Sequence, residues 1–196
     1  MSKILYVKAN PKDDESSFTF QVSELFIKKY QEEHPDDEVE TLDLYKTDID
    51  FLRADDLTAM MSGGSEKMKQ YATQFVGADK IVIAAPMWNF SIPAILKAYI
   101  DYILLAGTTF QYGENGPEGL AKDGVKILHV TARGGSYIEA PMDAMEMSDK
   151  YIRTVAGFVG ITDVETIAIE KLAMGEAGQA ELESAKEKAE NLSKEW

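Results

Sequence analysis

The sequence predicts an α/β protein: a doubly wound, five-stranded parallel sheet with helices on both faces. Three observations predict it. Strand-like and helix-like runs alternate along the whole chain. Three of the strand-like runs are almost continuously apolar, the pattern of strands covered on both faces. No repeat, low-complexity tract or linker interrupts the 196 residues, a length that fits one domain over 1–196 with one sizeable core.

The first strand is expected at Lys3–Ala9 and the first helix at Ser17–His34, where Phe18, Val22, Leu25, Phe26 and Tyr30 form an apolar stripe at helical spacing. A second strand follows at Glu38–Leu44. Thr47–Gly64 reads as an irregular stretch holding a short helix near Leu52–Met61, and Lys67–Gly77 as the next full helix. The third strand, Lys80–Ala85, leads through Pro86–Pro93 into a helix over Ala94–Leu105. Gly107–Asp123 reads as a second irregular stretch with a turn cluster, Gly113-Glu114-Asn115-Gly116-Pro117-Glu118-Gly119. The fourth strand is Val125–Thr131, and a helix follows over Ala144–Val159. The fifth strand, Asp163–Ile169, partly alternates, as an edge strand does, and a last helix spans Glu176–Ser193. This alternation requires parallel strands and right-handed crossovers. Five strands so connected match a flavodoxin-like sheet, with its switch point between the first and third strands.

Composition narrows the functional classes. A net charge of −14 disfavours nucleic acid and anionic membrane as partners. The absence of cysteine removes disulfides, thiolate metal sites and cysteine nucleophiles, and is compatible with a reducing cytosol. No signal-peptide pattern opens the sequence and no apolar run nears the ~20 residues of a membrane helix, so a cytoplasmic protein is expected. With two histidines, His34 and His129, a histidine-rich metal site is excluded, and no metal is expected. His129 lies inside an apolar strand and reads as a packed core residue.

Three strand ends should meet at one side of the sheet, where such folds bind ligands. After the first strand comes Asn10-Pro11-Lys12-Asp13-Asp14-Glu15-Ser16-Ser17-Phe18-Thr19. Ser17 suits a helix N-cap. Its hydroxyl, that of Thr19 and the first-turn N–H groups suit one phosphate. With no glycine-rich dinucleotide or triphosphate motif, a terminal monophosphate fits better than a pyrophosphate. A plain cap is the alternative reading. After the third strand, Pro86-Met87-Trp88-Asn89-Phe90 combines stiffness, aromatic surface and a carboxamide, as gripping a flat heteroaromatic ring with a polar edge requires. After the fourth, Arg133-Gly134-Gly135 lets backbone N–H groups approach a ligand closely. Arg133 itself can touch the ligand or form a structural ion pair. Asp13-x-Glu15 is too unspecific to define a magnesium site.

In these residues the chain resembles the FMN-dependent NADH azoreductases, a branch of the flavodoxin-like quinone reductases. The resemblance runs from Met1 to about Ser193. It is carried by Pro86–Pro93, Phe110–Leu120, Thr131-Ala132-Arg133-Gly134-Gly135 and Gly157-Phe158-Val159-Gly160-Ile161. It implies that Asn10, Ser17, Phe18 and Thr19 hold the FMN phosphate, that Pro86, Met87, Trp88, Asn89 and Phe90 hold the isoalloxazine, and that Arg133, Gly134 and Gly135 face its pyrimidine end. It further implies a homodimer in which Phe158 of one subunit covers the ring of the other and Tyr112 edges the substrate space. Asn10 and Ala132 stand where the family usually carries serine. Asn10 keeps a hydrogen-bonding side chain, whereas Ala132 leaves only backbone contacts.

The resemblance implies a ping-pong, two-electron reductase. It would use NADH or NADPH, with quinones and azo compounds as flat acceptors and no acid–base residue of the protein itself. A one-electron carrier of flavodoxin type and a cofactor-free binding protein are the alternatives. Lys12, Arg53 and Arg133 are the cations available to discriminate the two nicotinamides.

Overall fold

A computed structural model describes residues 1–196. In chain order its elements are β1 (Lys3–Lys8), α1 (Phe18–Glu33), β2 (Glu38–Asp43), α2 (Ala54–Met61), α3 (Glu66–Gly77), β3 (Lys80–Ala84), α4 (Ala94–Ile103), β4 (Phe110–Gly113), β5 (Gly116–Gly119), β6 (Lys126–Ala132), α5 (Ser148–Phe158), β7 (Asp163–Ile169) and α6 (Glu176–Leu192). The main sheet has five parallel strands in the order β2-β1-β3-β6-β7. The order reverses between β1 and β3, the predicted switch point.

Alternation along the strands feeds two cores. Ile4, Tyr6, Val82, Ala84, Leu128, Val130 and Ile167 point toward Phe20, Phe26 and Tyr30 of α1 and Leu182 and Ala189 of α6. Leu5, Val7, Ile81, Ile83 and Ile127 point the other way, toward Met68 and Phe75 of α3, Leu96 and Tyr99 of α4 and Ile152 and Val155 of α5. Both faces are thus covered, which is why the central strands carry no polar alternation. The helix α2 buries none of its residues.

Two stretches differ from expectation. Gly107–Asp123 is not irregular: it holds the antiparallel hairpin β4–β5, with Tyr112 opposite Pro117. The sequence Gly-Pro-Glu-Gly of β5 carries no strand signal, and the hairpin instead rests on α5. A Cβ at Gly119 would lie 2.1 Å from the carbonyl carbon of Val159, so only glycine permits this approach. The Ala121 N–H donates to Val159 O at 3.0 Å beside it. Second, α5 begins at Ser148 rather than Ala144. The buried Glu146 carboxylate accepts the N–H groups of Ser148 (2.9 Å) and Asp149 (2.9 Å), which sets the helix start.

Candidate functional site

The carboxyl ends of β1, β3 and β6 enclose a cleft of about 210 Å³. The β1 loop contributes Asn10, Lys12, Ser17, Phe18 and Thr19. The β3 loop contributes Pro86, Met87 and Trp88, and the β6 loop Ala132, Arg133 and Gly134. Leu172, which no sequence signal marked, closes it from the segment after β7.

At one end, Ser17 caps α1: its Oγ accepts the Phe20 N–H at 3.2 Å and the Asn10 Nδ2–H at 2.9 Å. The N–H groups of Phe18 and Thr19, in the first helical turn, have no intrahelical acceptor. The Thr19 hydroxyl is buried with no partner in the protein. Two neighbouring carboxylates, Asp13 and Asp14, are engaged elsewhere. Asp13 accepts from the Ser16 N–H and hydroxyl, both at 2.7 Å, and Asp14 pairs with the Lys8 ammonium. These hydrogen bonds to Ser16 hold the Asp13 carboxyl below its ordinary range. Donors without acceptors, and acids already engaged, fit a bound monophosphate.

The β3 loop makes a tight turn. Trp88 and Ser91 exchange backbone hydrogen bonds of 2.9 and 3.1 Å. Between them Asn89 (φ 49°) and Phe90 (φ 72°) are left-handed. Asn tolerates that region, whereas Phe is strained in it, and such strain gathers at functional sites. Neighbouring loops hold the turn: Met87 N–H donates to Ala132 O at 3.0 Å, and Met147 N–H to Phe90 O at 2.9 Å. Trp88 and Phe90 are 40% and 42% exposed, large apolar surfaces left open on a rigid loop.

The Gly134–Gly135 loop is fixed from below. Arg133 is buried between Glu170 (3.0 Å) and Glu146 (3.2 Å). Of the two roles open to Arg133, the ion pair is the one displayed, and its guanidinium serves the loop's position. Glu170 also accepts from the Tyr137 N–H at 3.0 Å and the Ser136 hydroxyl at 2.9 Å. Burial pushes the Glu146 carboxyl up, but donors from Ser148, the Asp149 N–H and Arg133 outweigh it and hold the group below its usual range. Neither glutamate could be paired with Arg133 from the sequence, since both lie well beyond it in the chain.

Tyr112 and Phe158 stand apart from this cleft. They join Phe110 in an aromatic cluster, with centroids 5.5 Å (Tyr112) and 4.8 Å (Phe158) from Phe110. The cluster lies at the other end of α5: that helix starts beside the β6 loop and its 11 residues run about 16 Å down the sheet.

A switch-point cleft that joins a helix N-terminus to an aromatic loop defines a protein of the flavodoxin-like class. Residues 2–192 match the model of a family described as having the flavodoxin-like fold, and the chain belongs to it. It is 52% identical over 202 aligned residues to an FMN-dependent NADH:quinone oxidoreductase of Lachnoclostridium phytofermentans, with 100% of both chains covered. It is 50% identical, again with 100% of both covered, to one of Clostridium perfringens. Among solved structures it matches an azoreductase from Bacillus anthracis with a TM-score of 0.93, 35% identity and 100% of both chains covered. It also matches an FMN-dependent NADH-azoreductase from that organism, in complex with FMN. That match has a TM-score of 0.87 and 32% identity, and covers 98% of this chain and 100% of the other.

Proposed function

We propose that this chain is an FMN-dependent NADH:quinone oxidoreductase that also accepts azo compounds. The observation that carries the reading is a cleft with unmet phosphate donors at Thr19 and the α1 N-terminus, lined on its other side by Pro86, Met87 and Trp88, where the strained Asn89–Phe90 turn begins. When bound, FMN supplies the two-electron hydride chemistry. The residues bind and orient. Asn10, Ser17, Phe18 and Thr19 take the phosphate. Pro86, Met87, Trp88, Asn89 and Phe90 grip the ring and keep water from one of its faces. Gly134 and Gly135, held by Arg133, present N–H groups to its pyrimidine edge. NADH and the acceptor then occupy the same flat space in turn, a ping-pong sequence. The one-electron carrier alternative finds no support in the relatives named above, all of them oxidoreductases by name.

We further read the molecule, residues 1–196 acting as one FMN-binding domain, as a homodimer of the cytoplasm, where NADH is supplied. Tyr112 (77% exposed), on the hairpin, and Phe158 (37% exposed), at the end of α5, lie outside the lining of their own cleft. A homodimer in which each subunit supplies these two residues to its partner's cleft accounts for their placement. No helix is long and apolar enough to cross a membrane.

The test is steady-state kinetics of the purified, FMN-loaded protein with NADH and NADPH against a panel of quinones and azo dyes. Parallel double-reciprocal lines with quinones are expected. A protein with one FMN per chain and no turnover of any acceptor would overturn the reading.

A further inference from the structure

Beside the cofactor cleft lies a second hollow, of about 460 Å³, formed where the β1 loop meets the end of β2. The two share Asn10 and Lys12 in their walls, and the second is the neighbouring lobe. The second lobe presents Asp43, Tyr45 and Lys46 from the β2 side, and Lys12 and Asp13 from the β1 side.

Its charges are not equivalent. The Lys46 ammonium, largely exposed, lies 2.8 Å from the Asp43 carboxylate. The Asp13 carboxylate is engaged by Ser16 and stays anionic, those hydrogen bonds lowering its pKa. Lys12 is tied only through its backbone N–H, which donates to Asn10 Oδ1 at 3.2 Å, and its ammonium is left free. In a protein of net charge −14, a free ammonium in a groove is a specific feature rather than a diffuse field. Tyr45, 43% exposed, offers an aromatic face beside it.

A free ammonium for phosphate next to a ring for stacking is the chemistry that recognises an adenylate. We propose that this lobe binds the adenylate half of NADH, with Lys12 on its phosphates and Tyr45 against its purine. The inference rests on the reductase reading and adds to it the seat of the co-substrate's non-reacting half. The lobe also selects between nicotinamides. A 2′-phosphate would meet two carboxylates, Asp13 and Asp43, in the same lining, so NADH is preferred over NADPH.

Calorimetric titration of ADP into the FMN-loaded protein tests this without turnover. ADP is expected to bind, with affinity lowered about tenfold in Lys12→Ala, the size of one charge-assisted contact at a partly wet site, and lowered also in Tyr45→Ala. Adenosine 2′,5′-bisphosphate should bind no more tightly than ADP. In kinetics, Lys12→Ala should lose about tenfold more kcat/KM with NADH than with reduced nicotinamide mononucleotide, which lacks the adenylate. Unchanged ADP affinity in both variants overturns the proposal, as does an equal loss with the two donors. A fall in FMN content in Lys12→Ala overturns it too, since it would place Lys12 on the cofactor phosphate. Failure of the wild-type holoprotein to oxidise either donor overturns the reductase reading and this inference with it.

Discussion

Thr19 is the clearest residue-scale sign of an absent ligand, because a buried hydroxyl without a partner costs about 1–3 kcal/mol. Replacing it with the near-isosteric valine removes that cost together with the hydroxyl. Thr19→Val is therefore expected to unfold at equal or higher urea concentration while binding FMN about tenfold more weakly, followed by quenching of flavin fluorescence. Unchanged FMN affinity would show that the hydroxyl does not face the phosphate. At this scale the sequence was readable where a residue acts through its own loop, as Ser17 does in capping α1. It was silent where roles are assigned across the fold. No local pattern announces that Lys8, on the strand before the acids beside Ser17, engages Asp14.

Among the elements, α5 is held to the sheet by a buried polar knot. The Asp149 carboxylate accepts from His129 Nδ1 (2.9 Å) on β6, from Thr166 (2.6 Å) on β7, and from Arg153 (2.6 Å) one turn on. Burial pushes this carboxyl up, but the donors from His129, Thr166 and Arg153 outweigh it and leave the group far below the ordinary carboxylate range. The sign follows from linkage: a depressed folded value adds stability above the unfolded pKa of about 3.9, and that stability is lost as pH falls toward the folded value. Asp149→Asn should cost about 2 kcal/mol in urea unfolding at pH 7, and the gap to wild type should narrow at pH 3. A gap independent of pH would mean that packing, not charge, is what the substitution disturbs. The elements themselves were legible because the central strands are continuously apolar and the helices carry one-sided stripes. The β4–β5 hairpin was not, because its second strand is defined by contact with Val159 and not by its own residues.

The whole molecule is closed at its amino edge by the chain's last residue. Trp196 is 5% exposed and packs edge-on against Phe26 (5.1 Å) and Tyr30 (5.9 Å) of α1. Lys80 Nζ at the start of β3 lies 5.5 Å from its ring. Trp196→Ala should lower stability by about 3–4 kcal/mol, read as the urea midpoint, while FMN content without denaturant is unchanged, since the cleft lies at the opposite edge of the sheet. Loss of FMN at full folding would contradict that separation. The opposition of the two edges is a property of the whole that sequence could not display. Tyr112 and Phe158 are legible as aromatic and apolar positions, but their distance from the cleft depends on the direction in which α5 runs.

The left-handed Asn89–Phe90 turn has a kinetic consequence. Its conformation is held by backbone hydrogen bonds to two neighbouring loops, so the protein's own contacts, rather than a bound ring, bear the strain. On the proposed reading, a flat ring then meets a turn already in place, and its association is expected to be fast. Substitutions that leave the turn in place will act on how long the ring stays rather than on how fast it enters.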